Sequence, residues 1–228
     1  MIQRRMKRTI LLFIFTTLSI GHCFCQAGNY VGLYTGIGSN RYSTDVNFND
    51  IVTYVPEVYY SVGVNAGFIL QSNVLLETGL LYLKDGFTRT YSFNVMDPND
   101  PAIPENTVFK ASYVQLPISI GYLFNISNRF KLSPILGVNL QYLFSSNEES
   151  QFMDGSTRES DFFRDMNPFL IDGRLGLRNM FEASPTLALG IEPYIGKYFT
   201  IIDQPEMDSG HLTYGISCTL ILKLNNAL

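Results

Sequence analysis

Apolar positions alternate with small or polar ones along most of this chain, and Ser112 to Phe124 shows the alternation most plainly. Val114, Leu116, Ile118, Ile120, Tyr122 and Phe124 form one set, and Gln115, Pro117, Ser119 and Gly121 belong to the other. Successive side chains of a strand point to opposite faces, so this is the pattern of a β-strand with one apolar face. No helical spacing separates the two sets as well. At 13 residues the stretch exceeds the roughly 9–11 with which a tilted strand crosses a bilayer.

Seven further segments share the pattern: Asn29 to Ile37, Val58 to Leu70, Val74 to Lys84, Phe130 to Leu143, Ile171 to Phe181, Thr186 to Tyr198 and His211 to Leu224. The segment from Val74 is the least regular, because Leu75, Leu81 and Leu83 join Glu77 and Gly79 on the small face. Eight alternating segments in succession exclude helix-based folds. Their connections alternate in length. Gln71 to Asn73, Asn125 to Arg129 and Glu182 to Pro185 read as tight turns, whereas Gly38 to Glu57, Asp85 to Thr107, Phe144 to Leu170 and Thr200 to Gly210 read as long loops. Short turns at one end and long loops at the other predict an all-β, eight-stranded antiparallel up-and-down transmembrane β-barrel, with both termini in the periplasm and the long loops outside.

A soluble barrel of the lipocalin type also alternates, but its exposed face carries many charges. Here the non-apolar face is poor in charge and rich in glycine, including Gly63, Gly67, Gly121, Gly137, Gly176 and Gly190, which suits a crowded lumen. The apolar faces carry Tyr60, Phe68, Tyr82, Tyr122, Phe124, Phe130, Tyr142 and Tyr214 near their ends, as interfacial aromatic girdles require. Val114, Leu116, Ile118, Ile120, Leu136, Leu189 and Ile216 are therefore expected to face lipid. Pro117, Pro134 and Pro193 fall inside strands, where a lost ladder hydrogen bond predicts bulges or irregular pairing.

The first 25 residues change the compartment. Arg4, Arg5, Lys7 and Arg8 precede an apolar run from Ile10 to Ile20, the form of a signal peptide and too short for a spanning helix. Small residues at Cys23 and Cys25 place cleavage between Cys25 and Gln26, leaving 26–228 as one barrel domain exported by the general secretory route. His22 and Phe24 stand where a lipoprotein would need a small residue. Leader removal leaves 12 basic against 20 acidic residues, and only Cys218 among the cysteines. A disulfide scaffold within the chain and nucleic-acid binding are thereby excluded. The long loops hold 16 of the 20 acidic residues, with Glu148, Glu149, Asp154, Glu159, Asp161 and Asp165 in the longest.

Three stretches resemble the PorT-type outer-membrane barrel family of Bacteroidota, whose barrels are OmpA-like in shape. Leu76 to Asp85, LETGLLYLKD, resembles that family's LQTGLLYxxKG strand. Tyr113 to Phe124 resembles YLEIPLLLKY, with Gln115 and Pro117 in its polar and proline positions and Gly121 in place of its usual lysine. Pro134 to Tyr142, PILGVNLQY, resembles PYLGAGxxY. The resemblance implies an outer-membrane location in a Gram-negative bacterium. One member of that family assists type IX secretion, and none of these motifs carries that role over.

Candidate chemistry is sparse. Glu77, Lys131, Asp172, Arg174, Arg178, Glu192 and Lys223 lie on the small face, where buried charges must pair. Arg178 or Arg174 is expected to pair with Glu192, and Glu77 and Lys131 to join across the lumen. Eight strands enclose just enough room for side chains, so the reading is a structural ion-pair network, with a gate as its rival. His211, near Ser209 and Thr213, is the one histidine left for catalysis, and a lone histidine at a strand end reads as an ordinary polar residue. Asp97, Asp100 and Glu105 match no calcium-loop spacing. The expectation is a monomeric, non-enzymatic protein with a structural or surface-interaction role and no cofactor or metal. Its partners are outer-membrane lipid and lipopolysaccharide, and envelope or secretion-machine proteins met through the loops. An accessory role in secretion or outer-membrane assembly and a lipid-modifying enzyme are the alternatives.

Overall fold

A computed structural model describes residues 28–41, 52–70, 72–91, 104–160, 168–199 and 212–224. The barrel strands are β1 (Gly28–Arg41), β2 (Val58–Ile69), β3 (Val74–Tyr91), β4 (Pro104–Tyr122), β5 (Phe130–Phe152), β6 (Phe169–Glu182), β7 (Leu187–Tyr198) and β8 (Leu212–Leu224). Each pairs antiparallel with its neighbours in sequence, and β1 with β8 closes a ring of eight. Closure gives every strand a partner on both sides, which hydrocarbon demands of any backbone that crosses it.

Parity decides which side chains meet the outside. Val114, Ile118, Ile120, Leu136, Leu189 and Ile216 are exposed on the outer surface, and Leu116 on the same face is half-buried. Outward aromatic rings gather at both ends. Tyr60, Tyr82 and Phe144 follow one another at 6.3 and 6.0 Å, with Tyr142 and Phe169 5.0 Å apart at the same end. At the other end Tyr122 lies 4.8 Å from Phe124, and Phe130 lies 5.0 Å from Phe181. With strands tilted about 40°, Phe130 and Tyr142 on β5 lie about 30 Å apart along the barrel axis, the thickness of a bilayer's hydrocarbon.

The interior is less polar than the alternation implies. Tyr30, Leu75, Leu123, Ile135, Met180, Ala188 and Ile221 make a buried cluster at the short-turn end. Tyr59, Leu83, Ala111, Tyr113 and Leu170 make another toward the long-loop end. Leu75, Leu81 and Leu83, which break the pattern of their segment, are lumen-filling side chains.

One expectation needs correction. The loops read as Asp85 to Thr107 and Phe144 to Leu170 are partly strand: β3 runs to Tyr91, β4 starts at Pro104 and β5 continues to Phe152. Short strands flank these extensions, with Val52–Pro56 on β3 and Thr157–Ser160 on β5. Beyond the apolar belt neither face needs to be greasy, so the period-two signal fades while pairing continues. At the prolines the pairing is irregular, the second of the two outcomes expected there. Pairing between β3 and β4 lapses from Thr78↔Ile118 to Leu81↔Gln115, across Pro117, and between β6 and β7 from Asn179↔Ile191 to Gly176↔Tyr194, across Pro193, yet the register is unchanged. Pro117 and Pro193 therefore each leave a gap and no bulge, and Pro134 keeps its place opposite Leu177 on β6. The Thr78 hydroxyl donates to the Pro117 carbonyl at 3.0 Å, so a hydroxyl on the outer face is satisfied. Register shifts occur instead between β4 and β5 at Pro104/Asn106 and Ser112/Tyr113.

The leader 1–25, its cleavage site at Cys25 and Gln26, His211, Asp97, Asp100, Asp161 and Asp165 lie outside the described residues.

Candidate functional site

The middle of the lumen holds a cluster of four charges. Arg178 on β6 reaches Glu77 on β3, with Nη1 2.5 Å from Oε2, and Glu192 on β7, with Nη2 2.8 Å from Oε2. One turn of pleat away, Arg174 places Nη2 2.8 Å from the other oxygen of Glu192. Neutral donors and acceptors complete the shell. Tyr30 donates to Glu77 Oε2 at 2.7 Å, and Asn65 Nδ2 donates to Oε1 at 2.5 Å. Arg174 donates to the hydroxyls of Tyr34 at 2.7 Å and Ser217 at 2.9 Å, and its guanidinium lies 3.8 Å from the Tyr194 ring centre. Two cations thus match two anions, each in a bidentate or forked geometry that suits guanidinium.

The sequence-derived set is only partly one cluster. Glu77, Arg174, Arg178 and Glu192 meet. Lys131 does not join Glu77: it lies 2.8 Å from Glu182, which Lys223 also approaches to 2.5 Å. Register explains the separation. Glu77 is level with Ser119, which faces Gly137, and Lys131 lies six residues nearer the short-turn end of β5. Asp172 stands apart as well, accepting from Asn139 Nδ2 at 2.7 Å and from Gln141 Nε2. Cys218 is half-buried on the outward parity of β8.

Glycine makes this density possible. A Cβ at Gly176 would overlap the Glu192 carboxylate, and one at Gly67 would overlap the ring of Tyr30. Gly67→Ala is accordingly expected to push Tyr30 off Glu77 and to lower the unfolding free energy of the refolded barrel by about 1–3 kcal/mol. Urea titration of the detergent-refolded protein measures it. Gly28→Ala, whose Cβ would come no nearer than 4.0 Å to Ile69, is the control that should stay within about 0.5 kcal/mol.

Several members of the network carry no charge and escaped sequence reasoning: Tyr30, Tyr34, Asn65 and Ser217. Their inward parity in alternating strands was the available signal. Asp85, assigned to a loop by its position after Lys84, sits inside β3 and accepts from Asn40 Nδ2 at 2.5 Å and from the Gly86 N–H at 2.7 Å. Together with Asp172, Arg174, Tyr59 and Tyr194 it lines a cavity of about 30 Å³ between the ion pairs and the long-loop end. That is room for one or two waters and no larger solute. Among the described residues no group of three or more His, Cys, Asp or Glu is placed to hold a metal. Outside the barrel wall, the tip after β5 carries Asp154, whose carboxyl is held below the usual range by hydrogen bonds from the Ser156 side chain and backbone.

A family model described as outer membrane protein beta-barrel domain matches residues 26–203. Among solved structures, Neisserial surface protein A is 14% identical, with a TM-score of 0.47, over 86% of this chain and 97% of that one. The outer membrane protein OprG of Pseudomonas aeruginosa is 11% identical, with a TM-score of 0.41, over 86% and 97%. Ail, the attachment invasion locus protein of Yersinia pestis, solved with the heparin analogue sucrose octasulfate, is 9% identical, with a TM-score of 0.40, over 86% and 100%. No curated protein sequence matches.

Proposed function

This chain belongs to the outer membrane protein beta-barrel domain family, and from that premise we propose that it works as a non-enzymatic surface-interaction protein of the Gram-negative outer membrane. The leader over 1–25 is removed on export, both termini lie in the periplasm, and the barrel is monomeric, surrounded by outer-membrane lipid and lipopolysaccharide. The long hairpins face outward and meet partners.

The observation that carries this reading is the division of the molecule into a filled tube and a protruding sheet. Within the apolar belt the lumen is closed by two apolar clusters and a matched ion-pair network. Beyond it, β3, β4 and β5 continue as paired strands flanked by Val52–Pro56 and Thr157–Ser160. A tube without a bore has no transport to perform, whereas an ordered, acidic sheet above the membrane offers backbone edges and side chains to other molecules. The lumenal charges are structural on this reading, because Arg174 and Arg178 each pair with a buried carboxylate.

Planar-bilayer recording and site-specific photo-cross-linking test it together. The purified barrel is expected to give no conductance steps of constant size, and a photo-reactive residue at Arg158 is expected to capture a discrete partner on intact cells. Uniform conductance steps would overturn the filled lumen. Capture only from the opposite end, for example from Ser184, would favour the PorT-type accessory role in secretion or assembly instead.

A further inference from the structure

Two inward acids form no part of the ion-pair network. Asp85 on β3 and Asp172 on β6 line the same small cavity in the outer half of the lumen. Four donors hold them, namely the amides of Asn40, Asn139 and Gln141 and the Gly86 N–H, and all four are neutral. Arg174 also lines the cavity, but its guanidinium is spent on Glu192, Tyr34 and Ser217. Since Arg174 and Arg178 together balance Glu77 and Glu192, the chamber retains two carboxylates that form no ion pair among the described residues. Enclosed charge of this kind is costly unless something neutralises it.

A second observation points the same way. Asn40 Oδ1 and Gln141 Oε1 are buried without a hydrogen-bond partner, in residues only 1% and 3% exposed. Both residues line the chamber. Each amide gives its N–H to a carboxylate, which leaves the carbonyl oxygen as an acceptor in need of a donor or a cation. A water would satisfy the hydrogen bond and leave the charge. A cation satisfies both.

We propose that this chamber binds one small hard cation of the calcium class, held by the carboxylates of Asp85 and Asp172 and the amide oxygens of Asn40 and Gln141, directly or across a water. The donor set is oxygen, with tyrosine hydroxyls nearby and no imidazole or thiol among the described residues of the lining, which suits calcium and not zinc or copper. The space of about 30 Å³ accommodates an ion with a single water. The ion would fasten β1, β3, β5 and β6 to one another from within, on the long-loop side of the ion pairs.

Terbium is the probe, because Tyr34, Tyr59 and Tyr194 line the chamber and can pass excitation to it. The protein refolded in detergent with terbium present is expected to show saturable, tyrosine-sensitised luminescence that calcium displaces. In Asp85→Asn/Asp172→Asn the affinity should fall by more than about 10–100-fold, the scale on which loss of outer-shell partners alone weakens metal sites. Exchanging the acids of the outer hairpin (Glu148→Gln, Glu149→Gln, Asp154→Asn, Glu159→Gln) should leave it unchanged. Circular dichroism checks that each variant folds, and Asn40→Ala, which keeps both acids, serves if the double variant does not. The wild-type thermal midpoint should rise with calcium and fall with chelator. Luminescence that follows the hairpin acids, or a midpoint that responds to pH and ignores calcium, would overturn the site, the latter by showing that protons do the neutralising.

Discussion

Arg178→Met is expected to destabilise the folded barrel by about 3–5 kcal/mol, the scale on which removal of one partner strands a buried charge. Arg178 is 3% exposed and touches both Glu77 and Glu192, themselves buried. Glu192 keeps Arg174 at 2.8 Å when Arg178 is gone. Glu77 keeps only Tyr30 and Asn65, neutral donors that cannot replace a cation. Whole-domain stabilities of about 5–15 kcal/mol leave little after such a loss, so poor refolding is the expected phenotype. A compensating change separates charge from volume. Arg178→Met/Glu77→Gln leaves one matched pair, Arg174 with Glu192, and should recover most of the stability, because buried ion pairs replaced on both sides are often neutral in effect. The urea midpoints of wild type, both single variants and the double variant form the cycle that measures the coupling. If the double variant were as unstable as Arg178→Met alone, lost packing around the long side chain would be the cause and the stranded carboxylate would not.

The sequence revealed the barrel wall far better than its contents. Alternation identifies a strand wherever one face meets lipid and the other a lumen, and every strand has such a stretch; Val114, Ile118 and Ile120 against Gln115 and Ser119 is the plainest. The signal weakens where that contrast ends, which is why Thr88, Arg89 and Thr90 look like loop and yet pair with Val108, Thr107 and Asn106. Inside the lumen, parity says that Glu77, Arg174, Arg178 and Glu192 point inward but not at what level. Level depends on register and stagger across strands distant in sequence: Glu77 and Arg178 are 101 residues apart and meet, while Glu77 and Lys131 are nearer in sequence and do not. Residues that complete the site without charge, such as Tyr30 and Asn40, look from sequence like any other inward tyrosine or asparagine. Asp85 shows both effects at once, since it stands where the wall's pattern fades and contributes to a chamber lined by all eight strands.

Depth along the outer wall should set the second large effect. Ile118→Arg is expected to cost about 2–4 kcal/mol, and Tyr142→Arg about 0–1 kcal/mol, although both replace an outward apolar side chain by the same cation. Ile118 pairs with Val138 on β5 and with Thr78 on β3, midway between the two aromatic belts. A guanidinium there has hydrocarbon in every direction and must snorkel past several residues to reach a headgroup. Tyr142 lies in the belt at the long-loop end, 5.0 Å from Phe169, where the same side chain reaches water or a lipid phosphate without distortion. Reversible unfolding of the barrel in lipid vesicles reads both values. Equal losses at the two positions would mean that no depth gradient acts on this surface, and the membrane-spanning assignment of the belt would fail with it. In a detergent micelle, whose apolar interior has no fixed thickness, the gap between the two variants should narrow. A belt that owes its exposure to a bilayer predicts that dependence on the surroundings, and a soluble barrel with an accidental greasy surface does not.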